Sequence, residues 1–357
     1  MDHPTLHPVQ KTALIMLILV LSVVILKFAD FILIPVAWAV FIAFALMPMN
    51  KWLETKNIPR PMAIALSIFL VSLFAVLVLY VLLNQMIGLL ADVPFISAKL
   101  AQSLDELTEF MTKKFGIDMG SNEQGWGASE LFSSENLNRT FLSTAKWLTI
   151  AGIIPLFTFL FMYYRDFFTE FLYRKFGKRD NPVMDWVKDA GGVIQAYLIG
   201  MIKVTGIVAL MAGLFFYFFG IKYFLLFAIF IAVMNLIPYI GVLISSLLVI
   251  LYVFLTFDGI IYPIVTLLVL WGIQLIENNL ITPLIVGGKV NINMLAVILA
   301  ILIGGGIWGI SGMVLFIPMV GVLKITLDKS VKWKAYGYLL GDTFPPKKKK
   351  AVAEHTT

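Results

Sequence analysis

The sequence predicts an all-α, polytopic membrane protein of about eight transmembrane segments, some of them broken or re-entrant in the C-terminal half. Three observations carry this. Of the 357 residues, 60% are hydrophobic and 13% charged, against about 45–50% and about 25% in soluble domains; the mean hydropathy is +0.94. The apolar residues form runs long enough to cross a bilayer as helices, not the short alternating segments of a membrane β-barrel. The charges gather in a few loops and the tail, so the net +6 is a topology signal and not a nucleic-acid footprint. This composition excludes a cytosolic enzyme, a secreted domain and a disordered chain. The absence of cysteine removes disulfides, thiol nucleophiles and thiolate metal sites.

The apolar runs cover residues 12–28, 31–49, 61–83, 143–164 and 200–219, then three long or broken regions, 223–256, 260–286 and 292–327. The first lacks a small-residue cleavage site and is followed at once by a second, which reads as a retained helix and not a signal peptide. The stretch 223–256 is too long for one straight span and is interrupted by Pro238 and Gly241; 292–327 carries Gly304, Gly305 and Gly306 in its middle. Each is either a long bent helix or a re-entrant hairpin, and both alternatives leave the C-terminus on the same side.

Loop charge supplies orientation. Lys51, Lys56, Arg60, Arg165, Arg174, Lys175, Lys178, Arg179 and Lys188 sit in two basic loops, and Lys329, Lys332, Lys334 and the lysines at 347–350 in the C-terminal tail. The loop 86–142 is acidic, with Asp92, Asp105, Glu106, Glu109, Asp118, Glu123, Glu130 and Glu135. Basic loops remain in the cytoplasm, which puts both termini inside and 86–142 outside. The chain thus divides into spans one to three (1–85), an extracytoplasmic amphipathic region (86–142), a fourth span (143–164), a cytoplasmic interfacial helix region (165–199), a transmembrane core (200–328) and a basic tail (329–357).

Outside the spans, Val93, Ile96, Leu100, Leu104, Leu107 and Met111 recur at helical spacing and predict an amphipathic helix. Asn181-Pro182 is an N-cap followed by proline at the first helical position. The helix it opens leads into the fifth span with Trp186 at headgroup depth.

Soluble-type chemistry is missing. The three histidines, His3, His7 and His355, lie at the chain ends, and there is no HExxH and no phosphate-binding loop. No aspartate falls mid-span, and Gly304-x-Gly306-x-x-Gly309 lies inside an apolar run without the strand–helix–strand unit a dinucleotide site needs. The reading is a non-enzyme with no cofactor and no metal.

The buried polar residues are the candidate site, because charges and amides at membrane depth are costly without a function. Gln274, Glu277 and Asn278 are spaced i+3 and i+4 and share one helix face. Asn279 and Thr282 adjoin them, and Pro283, Gly287 and Gly288 predict a helix break that frees backbone groups for a polar solute. Glu277 is the only acid deep in the apolar regions, and a lone carboxyl there suits reversible protonation or a cation. Asn235, Pro238, Tyr239 and Gly241 form a second break. The bland alternative is an amide cluster that ties helices together.

Asn235-Leu-Ile-Pro238-Tyr-Ile-Gly241, Gln274-Leu-Ile-Glu277-Asn278-Asn279, Pro283, Gly287, Gly304-Gly305, Gly309-x-x-Gly312 with Pro318, and Arg165-Asp166 together resemble the AI-2E family of transporters across the whole chain. Two positions depart from that pattern: Val242 stands where a second proline is usual, and Met201 follows Gly200 where glutamine is frequent. The resemblance implies a bacterial inner-membrane permease, a homo-oligomer such as a pentamer, whose partners are membrane lipids, a small polar solute and H+ or Na+. The expected function is secondary transport of a solute such as autoinducer-2 by alternating access. The alternatives are a Na+(Li+)/H+ antiporter of the same family and a membrane scaffold without flux.

Overall fold

The computed structural model describes residues 7–115, 152–176, 182–286 and 292–342. Outside them fall several sequence expectations: the loop at 116–127, the start of the fourth span, the Asn181 cap, Gly287, Gly288 and the lysine tail.

Every described element is helical: α1 Pro8–Phe28, α2 Asp30–Glu54, α3 Arg60–Phe115, α4 Gly152–Tyr163, α5 Arg165–Phe176 and α6 Pro182–Phe218. Then come α7 Phe224–Met234, α8 Ile240–Thr256, α9 Ile261–Ile276, a π-turn Glu277–Ile281, α10 Thr282–Ile285, α11 Met294–Lys329 and α12 Lys334–Leu340. Among the described residues, six helical segments are long and apolar enough to cross a membrane. The chain is a polytopic all-α membrane protein, as its composition predicts.

The basic loops meet at one end. Arg165 pairs with Glu54 at 2.9 Å, Arg60 pairs with Asp166 and also donates to the Met162 carbonyl, and Lys329 pairs with Asp189 at 2.6 Å. At the opposite end α3 continues without interruption past its apolar stretch, where the sequence suggested a separate amphipathic helix. One face of this extension carries Gln85, Asp92 and Lys99 at seven-residue spacing. Gln85 accepts from the Leu226 N–H, Asp92 accepts from Lys222 and the Tyr223 hydroxyl, and Lys99 donates to Asp258. Seven residues are nearly two helical turns, so the three groups form one polar seam.

Both doubtful regions are hairpins. Residues 223–256 fold into α7 and α8, whose arms run antiparallel: the rings of Tyr223 (edge-on) and Phe227 (tilted) both pack on Tyr252, with centroids 6.1 and 4.7 Å away. Both ends of the pair are held at the α3 extension, through Tyr223 and Asp258. The 11 residues of α7 reach about 16 Å, roughly half the hydrocarbon core. The turn passes through Tyr239 at φ 66°, and a Cβ on Gly241 would collide with the Met234 carbonyl. Glycine is required there because α8 starts against the last turn of α7.

Residues 294–329 reverse at Trp308 (φ −122°, ψ 16°) and Gly309 (φ 58°, ψ −139°). Gly304 lies against the backbone of Gly312, and a Cβ on Gly305 would stand 2.8 Å from the Met313 methyl. In a straight helix residues 304 and 312 would be about 12 Å apart. The two ends of α11 come together too, since the Asn293 N–H donates to the Leu340 carbonyl at 2.9 Å and α12 follows α11 directly. The tip is pinned by Trp308 Nε1 on the Leu26 carbonyl and by Trp38 Nε1 on Ser311 Oγ. The two hairpins therefore enter the bundle from opposite ends.

Candidate functional site

The polar patch of α9 sits where its helix widens. Proline at 283 has no N–H to give the Asn279 carbonyl and its ring crowds that turn. The chain answers with i→i+5 bonding, in which the Thr282 N–H donates to the Glu277 carbonyl. Sequence reasoning expected a break here; the helix instead opens into a π-turn and continues to Ile285. Wide turns of this kind recur at functional sites. Its consequence is geometric: Thr282 is laid over Glu277, and its Oγ1 donates to Glu277 Oε1. Gln274 Nε2 donates to the other oxygen, Oε2, at 2.7 Å. Glu277 is 6% exposed, so both carboxylate oxygens are satisfied away from solvent.

Beside this carboxylate is a cavity of about 550 Å³. It lies between the tip of the α7–α8 hairpin and the base of the α11 hairpin, with α6 and the π-turn closing its sides. The tip supplies Asn235, Pro238, Tyr239, Val242 and Leu243; α9 and the segment after it supply Gln274, Glu277, Asn278, Thr282 and Val286. Tyr197 and Met201 come from α6, and Ile292, Val297 and Ile317 from the α11 hairpin and its approach. The wall is largely apolar, with a few convergent polar groups, which is how small-molecule sites are built. Met201 and Val242, the two departures noted in the sequence, both face it.

Of the residues singled out from sequence, the structure gathers Asn235, Pro238, Tyr239, Gln274, Glu277 and Asn278 around the cavity. Gly241 sits behind the tip as the residue that permits the turn. Asn279 points elsewhere, its amide donating to the Leu275 carbonyl at 2.9 Å, and Pro283 shapes the π-turn without lining the cavity. Gly304 and Gly305 serve the contact between the arms of α11, and nothing lies within 4 Å of a Cβ on Gly306.

Thr282, which adjoins the polar patch in the sequence, lines the cavity, and so does Tyr197, which did not stand among the sequence candidates. Tyr197 is 5% exposed, and its hydroxyl has no hydrogen-bond partner among the described residues. It belongs to one buried cluster with Ile237 of one hairpin and Ala300, Ile301 and Ile317 of the other. A helical stripe containing Tyr197 was legible; that one of its members faces a cavity was not. Among the described residues no cluster of His, Asp or Glu is arranged to hold a metal ion.

Comparison with known proteins agrees with this architecture. The chain is 26% identical over 320 residues to the Bacillus subtilis protein YrrI, which is named for transport, covering 83% of this chain and 86% of the relative. A Mycobacterium tuberculosis protein also named for transport is 30% identical over 308 residues, covering 82% and 81%. The AI-2 transport protein TqsA of Escherichia coli is 22% identical over 332 residues, covering 93% and 96%. The profile of the AI-2E family transporters matches residues 14–332, a span that takes in both hairpins and every described residue of the cavity, and the chain belongs to that family.

Proposed function

We propose that this transporter is a secondary carrier that moves a small polar solute by alternating access, with Glu277 as its titrating group. One observation carries the reading: the only carboxylate among the described lining residues is buried, held by two donors, and set where hairpins from opposite ends converge. Helix interruptions at membrane depth are tolerated where they line such a cavity. Protonation of Glu277 removes the charge and one acceptor, which biases one arrangement of the hairpins over another. The name of the relative TqsA makes autoinducer-2 the first solute to test. Charge asymmetry supports the bacterial inner membrane as location, with both termini and the basic end in the cytoplasm. The α7–α8 tip then stands between the cavity and the outside, as in an inward-facing carrier.

A single carboxylate among the described lining residues favours solute transport over Na+(Li+)/H+ exchange, which commonly uses two. A scaffold would leave the cluster mutually satisfied, whereas the Tyr197 hydroxyl is unpaired among the described residues. The deciding experiment is flux of autoinducer-2 and a panel of neutral polyols in proteoliposomes under an imposed pH gradient, with Na+ and Li+ varied. Solute uptake that responds to the pH gradient supports the reading. Proton flux driven by Na+ or Li+ alone supports the antiporter, and no flux of any kind the scaffold.

A further inference from the structure

The polar groups of the cavity divide into two sets. Glu277 is satisfied: Gln274 Nε2 reaches one oxygen at 2.7 Å and Thr282 Oγ1 the other. Two donors on two oxygens is the pattern that suits an ionised carboxylate, which accepts and does not donate. Tyr197 and Asn235 differ from it. Tyr197 is 5% exposed, and its hydroxyl is shut off and without a partner among the described residues, which is unfavourable. Asn235 presents an amide in the cavity wall with no side-chain bond to a described residue.

The described lining contains no Lys, Arg or His to set against Glu277. An anion entering this space would surrender its hydration and meet a fixed negative charge at close range. A neutral hydroxyl or amide, or an ammonium, would lose less and gain bonds that only this site offers. The volume of about 550 Å³ lies within the usual range for small-molecule sites. We propose that the cavity takes an uncharged or cationic solute bearing hydroxyl or amine groups, that Asn235 in its wall offers that solute a hydrogen bond, and that Glu277 excludes phosphate- and carboxylate-bearing solutes. The word solute rests on the transport reading; the charge selectivity of the cavity does not.

The natural sequence has no cysteine, so Asn278→Cys gives one thiol in the cavity wall. Tyr239→Cys is a second reporter should the first not assemble. The full-length protein in detergent is treated with the cationic 2-(trimethylammonio)ethyl methanethiosulfonate or the anionic 2-sulfonatoethyl reagent. Each rate is divided by that with 2-mercaptoethanol. The normalised cation-to-anion ratio is expected to be about tenfold or more, and to fall toward one when Glu277→Gln is added. Equal normalised rates overturn the proposal. So does preference for the anion. A preference that survives Glu277→Gln, or no reaction with either reagent, also overturns it. None of these outcomes depends on flux: a cavity that passes while the protein moves no solute refutes transport alone.

Discussion

Gly304 and Gly312 meet backbone to backbone across the α11 hairpin, and a Cβ added to either would overlap the other's carbonyl group. The contact fixes how closely the arms of the hairpin approach. Gly304→Ala and Gly312→Ala should each lower the melting temperature of the purified protein, through an overpacking cost of about 1–3 kcal/mol. Gly306→Ala is the control, because nothing lies within 4 Å of its Cβ; it should be neutral or stabilising by up to about 1 kcal/mol. Equal behaviour of the three variants in a thermal melt would count against the hairpin.

At the other hairpin, Gly241→Ala should be the most damaging single substitution, since its Cβ would strike the Met234 carbonyl, a backbone atom that cannot swing aside. Gly220→Asn is its milder counterpart: φ is 79° and there is open space around the Cβ, and asparagine tolerates that conformation. The expected result is loss of assembled Gly241→Ala on size-exclusion chromatography, with Gly220→Asn recovered near wild-type yield.

Much of this was legible in the sequence, for identifiable reasons. Proline and glycine at 238 and 241 announce a turn because their backbone chemistry is local. The triple glycine announced a break, but the reversal lies at Trp308 and Gly309, since Gly304 is needed for close approach and not for torsion. The face shared by Gln274, Glu277 and Asn278 follows from helical spacing alone. Tyr197 was not legible as a site residue, because it becomes a cavity wall only once two hairpins pack around α6. Thr282 was legible as a neighbour of the polar patch, but its bond to Glu277 was not, since it forms only because the turn between them is π and not α. The continuity of α3 was hidden by its change from an apolar to an amphipathic pattern, which a single helix can carry.

Topology is testable with the cysteine-free background. Lys56 lies at the end where Glu54 pairs with Arg165, and Asp258 at the end where it pairs with Lys99. Single cysteines at these two positions should label from opposite sides of the membrane: Asp258→Cys in intact cells, and Lys56→Cys only after permeabilisation. Labelling of both from the outside would contradict the separation of the two ends, and the reverse pattern would invert the orientation.

The seam on α3 should anchor the α7–α8 hairpin. Gln85 Oε1 accepts from the N–H of Leu226, in the first turn of α7, at 2.9 Å, and thus acts as an N-cap supplied by another helix. Gln85→Leu should cost about 1 kcal/mol, as for lost N-caps. The hydrogen bond from Lys222 to Asp92 holds the ammonium of Lys222 well above the usual lysine value, so the ion pair stays formed throughout the neutral range. On the alkaline side its contribution is full below the unfolded lysine pKa and is lost as pH rises through the raised folded value; on the acid side it is lost as Asp92, held below the usual carboxylate range by Lys222 and Tyr223, takes up a proton. Gly88→Val should disturb the same seam sterically, because a Cβ there would stand 2.9 Å from the Tyr223 ring. Faster hydrogen exchange confined to α7 and α8 in both variants is the expected readout.

Glu277 and Tyr197 should separate in transport assays. Glu277→Gln keeps the shape of the side chain and an acceptor for one of the two donors, but it cannot ionise; its fold should survive and the pH dependence of flux should vanish. Among the described residues, the other titratable groups lining the cavity are the phenols Tyr197 and Tyr239. Tyr197→Phe removes a buried hydroxyl that has no partner among the described residues. The variant should therefore melt no lower than wild type and keep the wild-type pH profile of flux. A Tyr197→Phe protein that melts lower would mean that the hydroxyl serves packing. A Glu277→Gln protein with the wild-type pH profile would move the coupling group elsewhere.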